Sequence, residues 1–402
     1  MLKSLASSTA YSISTSVLSY TLILLLSRAF SVETFSQYLY LVAWGLLIHQ
    51  LIDFVSEQCL VHFSKSTSRP IESVWWSLTI LKLLILVTII IVSLFSRHQF
   101  KISIPHGALL LIVPAFYMGT LYEYHQRISE YSRLFFLEKL SLLFIAALVF
   151  IFKLDIYLFI CLSMLVSLAS LFVQLRTFKI LWSESQYLIK DIKQYVIAYF
   201  PVYIIITSQL MYGNISRLIV ENKLGAIAFA SMTLALQVTN AVSMIQVQVD
   251  RHIRPEIFEA IKTSNSVEIR KIVKQYITKY LLVILLGSIL LTIFGQKLIL
   301  FLFGERWSDA GIALRYASPL VLLTACMRFI DIMSIALNAS RVNLIVNLSS
   351  SVSALSLLWV SPLHSIQGCI MLIILCQVVH VIFMATFLLI KAKNLIALRP
   401  SI

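Results

Sequence analysis

The chain has 402 residues, of which 59% are hydrophobic and only 12% charged, with a formal net charge of +14. Its mean hydropathy is +0.92, and its apolar runs reach about 20 residues, the length that crosses a bilayer core of roughly 30 Å as a helix. That composition marks a polytopic membrane protein, and since no connection between apolar runs is longer than Asp250 to Lys279 a soluble catalytic domain is excluded. An all-α fold is expected, because in lipid a helix satisfies every backbone group internally.

Twelve spans are expected, in chain order at roughly 10–27, 35–61, 74–95, 104–122, 134–152, 155–174, 196–216, 225–249, 280–303, 311–338, 342–361 and 367–390. The first is read as a retained helix, since no small-residue cleavage site follows Leu26. It closes on Ser27-Arg28. Ser216-Arg217 closes the seventh span in the same way, so two similarly folded halves are expected. The halves are placed at 1–180 and 196–402, with a cytoplasmic linker at 181–195. Lys and Arg concentrate in the connections after even-numbered spans, which places both termini in the cytoplasm. The positive charge therefore reports membrane topology and anionic headgroups, not a nucleic-acid partner.

Ionisable residues inside the spans are costly, about 2.5–3.5 kcal/mol each at the centre, and so need partners or a watery cavity. In the second span His49, Asp53 and Glu57 recur every four residues and share one helix face. Lys82, in the third span, stands at a similar depth, and an Asp53–Lys82 ion pair is expected. Two readings stay open. The pair is structural, or it belongs to an ion-coupling site with His49 and Glu57. Arg328 and Asp331 in the tenth span share a face, as a local pair or as a substrate contact. Arg28 and Arg217 are ordinary interfacial arginines, or together they clamp a phosphate at the outer mouth of a cavity.

The longest connection, Asp250 to Lys279, holds an amphipathic helix. Ile269, Ile272, Val273, Tyr276, Ile277 and Tyr280 fall at helical spacing, and Arg270, Lys271, Lys274 and Lys279 lie elsewhere around it. Ser266 caps its start. This helix is expected along the inner headgroup surface as an anchor. The five cysteines show no paired spacing, and no metal or nucleotide motif occurs, so neither an enzyme nor a resident cofactor is indicated.

Leu25-Leu26-Ser27-Arg28 followed by Phe35-Ser36-Gln37-Tyr38 resembles the first helix junction of the Wzx-type polysaccharide flippases. Those are the oligosaccharide branch of the multidrug, oligosaccharidyl-lipid and polysaccharide exporters. Phe303-Gly304-Glu305-Arg306-Trp307 with Ala310 and Leu314 resembles that family's turn before span ten. Ser216-Arg217-Leu218-Ile219 with Gly225 resembles the opening of its second half, and Pro255 fits a proline found after span eight. Ser36 stands where the family has glycine, and Ser216 where it has aspartate.

The resemblance implies a MATE-like fold of two pseudo-symmetric six-helix lobes around a central cavity. It implies an undecaprenyl-pyrophosphate-linked oligosaccharide as cargo, moved across a bacterial inner membrane, with protons or sodium as the coupling ion. In that setting Arg28, Arg217, Lys82 and Arg328 would face the substrate. A polysaccharide polymerase and a chain-length regulator are implied as partners. Two rivals remain: a drug or small-cation exporter of the same fold, for which the spans offer Asp53, Glu57 and Asp331, and a membrane enzyme of glycan assembly.

Overall fold

Helix is the regular structure throughout the described residues of the chain, a computed structural model that describes residues 2–53, 60, 63–64, 70–99, 106–109, 111–178, 188–262, 266–337 and 339–397. Helix α1 (Leu2–Ala29) turns into α2 (Val32–Ile52) over two residues. Ser31 makes that corner, its Oγ accepting the Thr34 N–H at 3.2 Å. Then comes α3 (Ile71–Gln99). The fourth expected span is in pieces: α4 (His106–Leu109), a 3₁₀ turn at Val113–Phe116, and α5 (Gly119–Tyr124). Helices α6 (Ile128–Phe152) and α7 (Ile156–Phe178) meet where Lys153 adopts a left-handed conformation and stops α6.

The rest of the chain runs through α8 (Leu188–Leu224), α9 (Ala226–Lys262) and α10 (Ser266–Gln275). A π turn (Tyr276–Leu281) leads into α11 (Leu282–Phe303). After a 3₁₀ turn at Glu305–Trp307 come α12 (Ser308–Ala317), α13 (Pro319–Ala336), α14 (Ser340–Val360) and α15 (Ile366–Ala397). Among the described residues, seven helices are long and apolar enough to cross a membrane, and a bent pair (Glu305–Ala317 with Pro319–Ser334, 44°) makes an eighth.

Two devices let these helices live in lipid. Hydroxyls inside them bond back to the carbonyl one turn earlier, as in Thr88 to Leu84, Ser163 to Phe159 and Thr386 to Ile382, all at 2.8 Å. The outward side chains are large and apolar, among them Phe144, Ile151, Phe172, Phe301 and Val360. That is the surface a hydrocarbon solvent selects.

The chain divides into two compact units, Met1–Asn214 and Ile215–Ile402, and the division falls inside α8. The sequence places a linker at 181–195. Helix α8 has already begun at Leu188, and 181–187 lie outside the described residues. One core of the first unit gathers Phe63, Trp75, Met118, Leu121, Tyr122 and Tyr195. In the second unit Ile257, Ile272, Tyr276, Met333, Met384 and Leu388 pack together. Ile272 and Tyr276, expected against headgroups, thus point into this protein core, whereas Ile277 is half exposed. Tyr276 is fully buried, its ring stacked on Phe329 at 4.1 Å and its hydroxyl donating to the Ala325 carbonyl at 3.2 Å.

Candidate functional site

The first unit holds a polar interior organised around the break in its fourth expected span. Pro114 interrupts that span, because proline lacks an N–H and its ring clashes with the preceding turn. Helix α2 also stops early, at Ile52, where the sequence reading runs a helix to 61. Asp53 there leaves helical geometry (φ −77°, ψ 70°), and its N–H bonds to the His49 carbonyl at 2.8 Å. A helix end buried this way leaves carbonyls without partners. Tyr203 supplies one donor, its hydroxyl reaching the Leu51 carbonyl at 2.9 Å.

Lys82 on α3 joins the two breaks. Its Nζ lies 2.7 Å from Asp53 Oδ1 and donates to the Ala115 carbonyl at 2.6 Å. Only 4% of Lys82 is exposed, and a buried ammonium is tolerable only with such partners. The ion pair expected from depth along the two helices is therefore present. Its position is more telling than its existence: the carboxylate sits at the negative end of α2's dipole, where a cation is needed. Gly45 lets α2 approach this region closely. A Cβ there would stand 3.0 Å from the Leu111 side chain and 3.3 Å from the Ala108 carbonyl oxygen.

Two residues beyond Ala115, the same broken segment touches a second charged group. The Tyr117 hydroxyl donates to Glu138 Oε2 at 2.7 Å, and Lys139 Nζ lies 3.7 Å from Glu138 Oε1. The Met118 N–H, freed by the break, donates to Gln174 Oε1 at 2.7 Å. Glu138 is 4% exposed and borders a cavity of about 190 Å³ lined also by Leu22, Tyr38, Pro114, Phe159 and Ser163. A buried carboxylate beside a cavity, with acceptor capacity left over, can accept a further hydrogen bond or a small cation.

The remaining sequence-derived residues are distributed as follows. Arg28 lies in the last turn of α1 and is exposed. Arg217 does not close its helix, since α8 continues two turns further to Leu224, so the two arginines occupy different local positions. Asp331 on α13 accepts from Asn343 Nδ2 at 2.7 Å, and Asn347 in turn donates to Asn343 at 3.4 Å. Arg328 lies on the same helix. His49 contributes its backbone carbonyl at the end of α2. Glu57 lies outside the described residues.

Sequence reasoning missed Glu138 and Lys139, although both stand in an apolar run and the rule that singled out Asp53 applies to them equally. It also missed the broken fourth span. Pro114 with Gly119 shortly after it was the available signal.

The motif resembling the Phe-Gly-x-x-Trp turn is a structural corner. Gly304 (φ +92°, ψ 169°) ends α11 in a conformation that needs glycine, and Trp307 is fully buried behind it.

Solved structures show what this arrangement is similar to. A multidrug resistance MATE family transporter of the MOP superfamily, in an inward-facing conformation, matches with a TM-score of 0.73 and 14% identity over 96% of each chain. An outward-facing multidrug resistance MATE family transporter matches with a TM-score of 0.63 and 13% identity, over 98% of this chain and 96% of that one. A third is a MOP superfamily transporter from Pyrococcus furiosus Vc1 (DSM3638), described as having a binding pocket of reversed polarity that suggests a different function. It matches with a TM-score of 0.55 and 13% identity, over 98% and 93%. No family model and no curated protein matches the sequence. At such identities the likeness speaks for fold and not for cargo. The chain has a MATE-like fold, that of an all-α, multi-pass membrane protein.

Proposed function

We propose that this chain is a transporter that moves an undecaprenyl-pyrophosphate-linked oligosaccharide repeat unit, of O-antigen or a related surface polysaccharide, from the cytoplasmic to the periplasmic leaflet of a bacterial inner membrane. It works by alternating access and makes or breaks no bond. The supporting observation is the pairing of a transporter-type fold over 96% of the chain with flippase-like residues at its corners, Ser27-Arg28 in the last turn of α1 and Gly304 to Trp307 after α11. Alternating access requires that cargo and coupling ion bind two states differently. Glu138 and the Asp53–Lys82 pair are the groups we assign to ion coupling, with protons or sodium as the ion. Arg28, Arg217 and Arg328 are assigned to the pyrophosphate. A polymerase and a chain-length regulator would receive the product.

The test is the leaflet distribution of lipid-linked oligosaccharide in membranes with and without the protein. Accumulation in the inner leaflet without it, relieved by the wild type and not by Arg28→Ala or Arg217→Ala, is the expected result. Rescue by both arginine variants would keep the cargo and discard those sites. An unchanged distribution in the absence of the protein, with no second carrier present, would overturn the assignment.

One observation favours a second reading, export of a small cation: Glu138 is an acidic group beside a cavity in the first unit. Resistance to cationic dyes conferred by the wild type and abolished by Glu138→Gln would select it.

A further inference from the structure

From Lys271 to Phe303 the chain is one continuous rod through α10, the π turn and α11. Its 33 residues exceed what a bilayer core requires. Along the outward side of this rod the lysines at the start, with the exposed Ile277 among them, give way to a wholly apolar stretch that ends at Lys297. Lys271, Lys274 and Lys279 are exposed. Beyond them Leu282, Val283, Leu286, Leu290, Ile293 and Phe294 are exposed instead, and no charged residue occurs between Lys279 and Lys297. The switch marks the edge of the hydrocarbon, because a lysine further along would hold its ammonium in lipid. The three ammoniums therefore sit at headgroup depth, spread over about 12 Å of helix rise.

The other side of the rod fixes this orientation. Ile272 and Tyr276 are buried in the core of the second unit, and Ser288, Leu291, Gly295 and Ile299 are buried along α11. Tyr276 and Ser288 are 12 residues apart, whereas three α-helical turns take about 11. The π turn accommodates the additional residue. Without it α10 would rotate by about 100° relative to α11, moving Ile272 off the core and the lysines off the outward side. Between Glu268 and Glu305 the chain contains no Asp or Glu, so no acidic residue of this stretch neutralises the face.

We propose that Lys271, Lys274 and Lys279 form a binding surface for anionic phospholipid headgroups, presented to the bilayer by the π turn. The occupant is lipid because the basic strip continues without interruption into the lipid-facing strip of α11. Positive charge at headgroup depth complements the negative surface of a leaflet rich in anionic lipid.

The experiment reconstitutes the full chain in phosphatidylcholine vesicles containing increasing fractions of brominated phosphatidylglycerol, and follows quenching of tryptophan fluorescence. Wild type is expected to prefer phosphatidylglycerol, and the preference should weaken with salt. Each surface lysine is worth roughly a five-fold change in affinity, so the triple variant K271Q/K274Q/K279Q should lose the preference by more than tenfold. The triple Lys→Arg variant should retain it, and K153Q/K297Q, altered at exposed lysines elsewhere, should match wild type. An unchanged preference in the triple Gln variant, or equal loss in K153Q/K297Q, would overturn the proposal. Retention of an acidic protein by these lysines with no effect on lipid preference would overturn it too. If the triple Gln variant does not fold, loss of the preference in the three single variants, each by a few-fold, decides the matter.

Discussion

Among the described residues, each unit contains a span broken at a proline, and the two breaks are braced by different chemistry. At Pro114 in the first unit, the Ala115 carbonyl is taken by the Lys82 ammonium, which is itself neutralised by Asp53, and the Met118 N–H is taken by Gln174. Ahead of Pro319 in the second unit, where α12 and α13 bend by 44°, neutral hydroxyls serve. Ser288 Oγ donates to the Ser318 carbonyl at 2.8 Å, Thr292 Oγ1 lies 2.5 Å from Ser318 Oγ, and Ser318 Oγ donates to the Arg315 carbonyl at 2.9 Å. Both braces meet the demand that backbone groups inside a membrane find partners. Only the first is charged, and Tyr117 in the same segment reaches a second charged group, Glu138. A break held by charges fails when either charge is removed. A break held by hydroxyls has no charge to lose.

The largest expected effect comes from removing the charged brace. Lys82→Met leaves Asp53 without its cation at the negative end of α2 and the Ala115 carbonyl without a donor. Removing one partner of a buried pair costs roughly 3–5 kcal/mol, so thermal unfolding of the purified protein should show a large loss of stability. Adding Asp53→Asn should recover part of it, because the uncompensated charge is then gone while the carbonyl stays unpaired. A Lys82→Met loss no greater than that caused by altering Ser288 would erase the distinction between the breaks.

Glu138→Gln should disturb function more than stability. The amide is close to the carboxylate in size and still accepts from Tyr117, but it carries no charge. Transport measured in vesicles should fall in this variant while its thermal unfolding stays near that of the wild type. Asp331→Asn in the second unit, where the carboxylate accepts from Asn343, should lower transport less. A greater loss of transport in Asp331→Asn than in Glu138→Gln would move the functional carboxylate to the second unit.

Much of the architecture was legible because lipid imposes simple rules on sequence. Length and hydropathy of apolar runs are enough to read α3, α6, α7 and α11 as spans, and equal depth on neighbouring helices is enough to pair Asp53 with Lys82. What escaped was local backbone geometry. Hydropathy does not register a break, so the second span reads as a helix through Asp53, and the fourth as one helix through Pro114. Arg28 and Arg217 look equivalent by their neighbours, yet α8 runs on past Arg217, because the residues up to Leu224 have no breaker before Gly225, which takes a positive φ. The amphipathic pattern of α10 was readable too, but periodicity says only that one face is apolar. Whether that face meets lipid or protein depends on what stands beside it.

The smallest effect is expected at the second break, and its size measures how far the hydroxyl brace depends on any single group. Ser288→Ala removes the donor to the Ser318 carbonyl. A typical intramolecular hydrogen bond contributes about 0.5–1.5 kcal/mol net, so a stability loss of around 1 kcal/mol follows if nothing compensates. Thr292 lies one turn along the same helix and already touches Ser318, so a small rotation lets its hydroxyl take over part of the role. The single variant should fall at the low end of that range. Ser288→Ala with Thr292→Val leaves no hydroxyl from α11 near the bend, and the combined loss should exceed the sum of the two single losses. That non-additivity is the mark of a shared role, and it should be the same at pH 6 and pH 8, because no member of this brace titrates there.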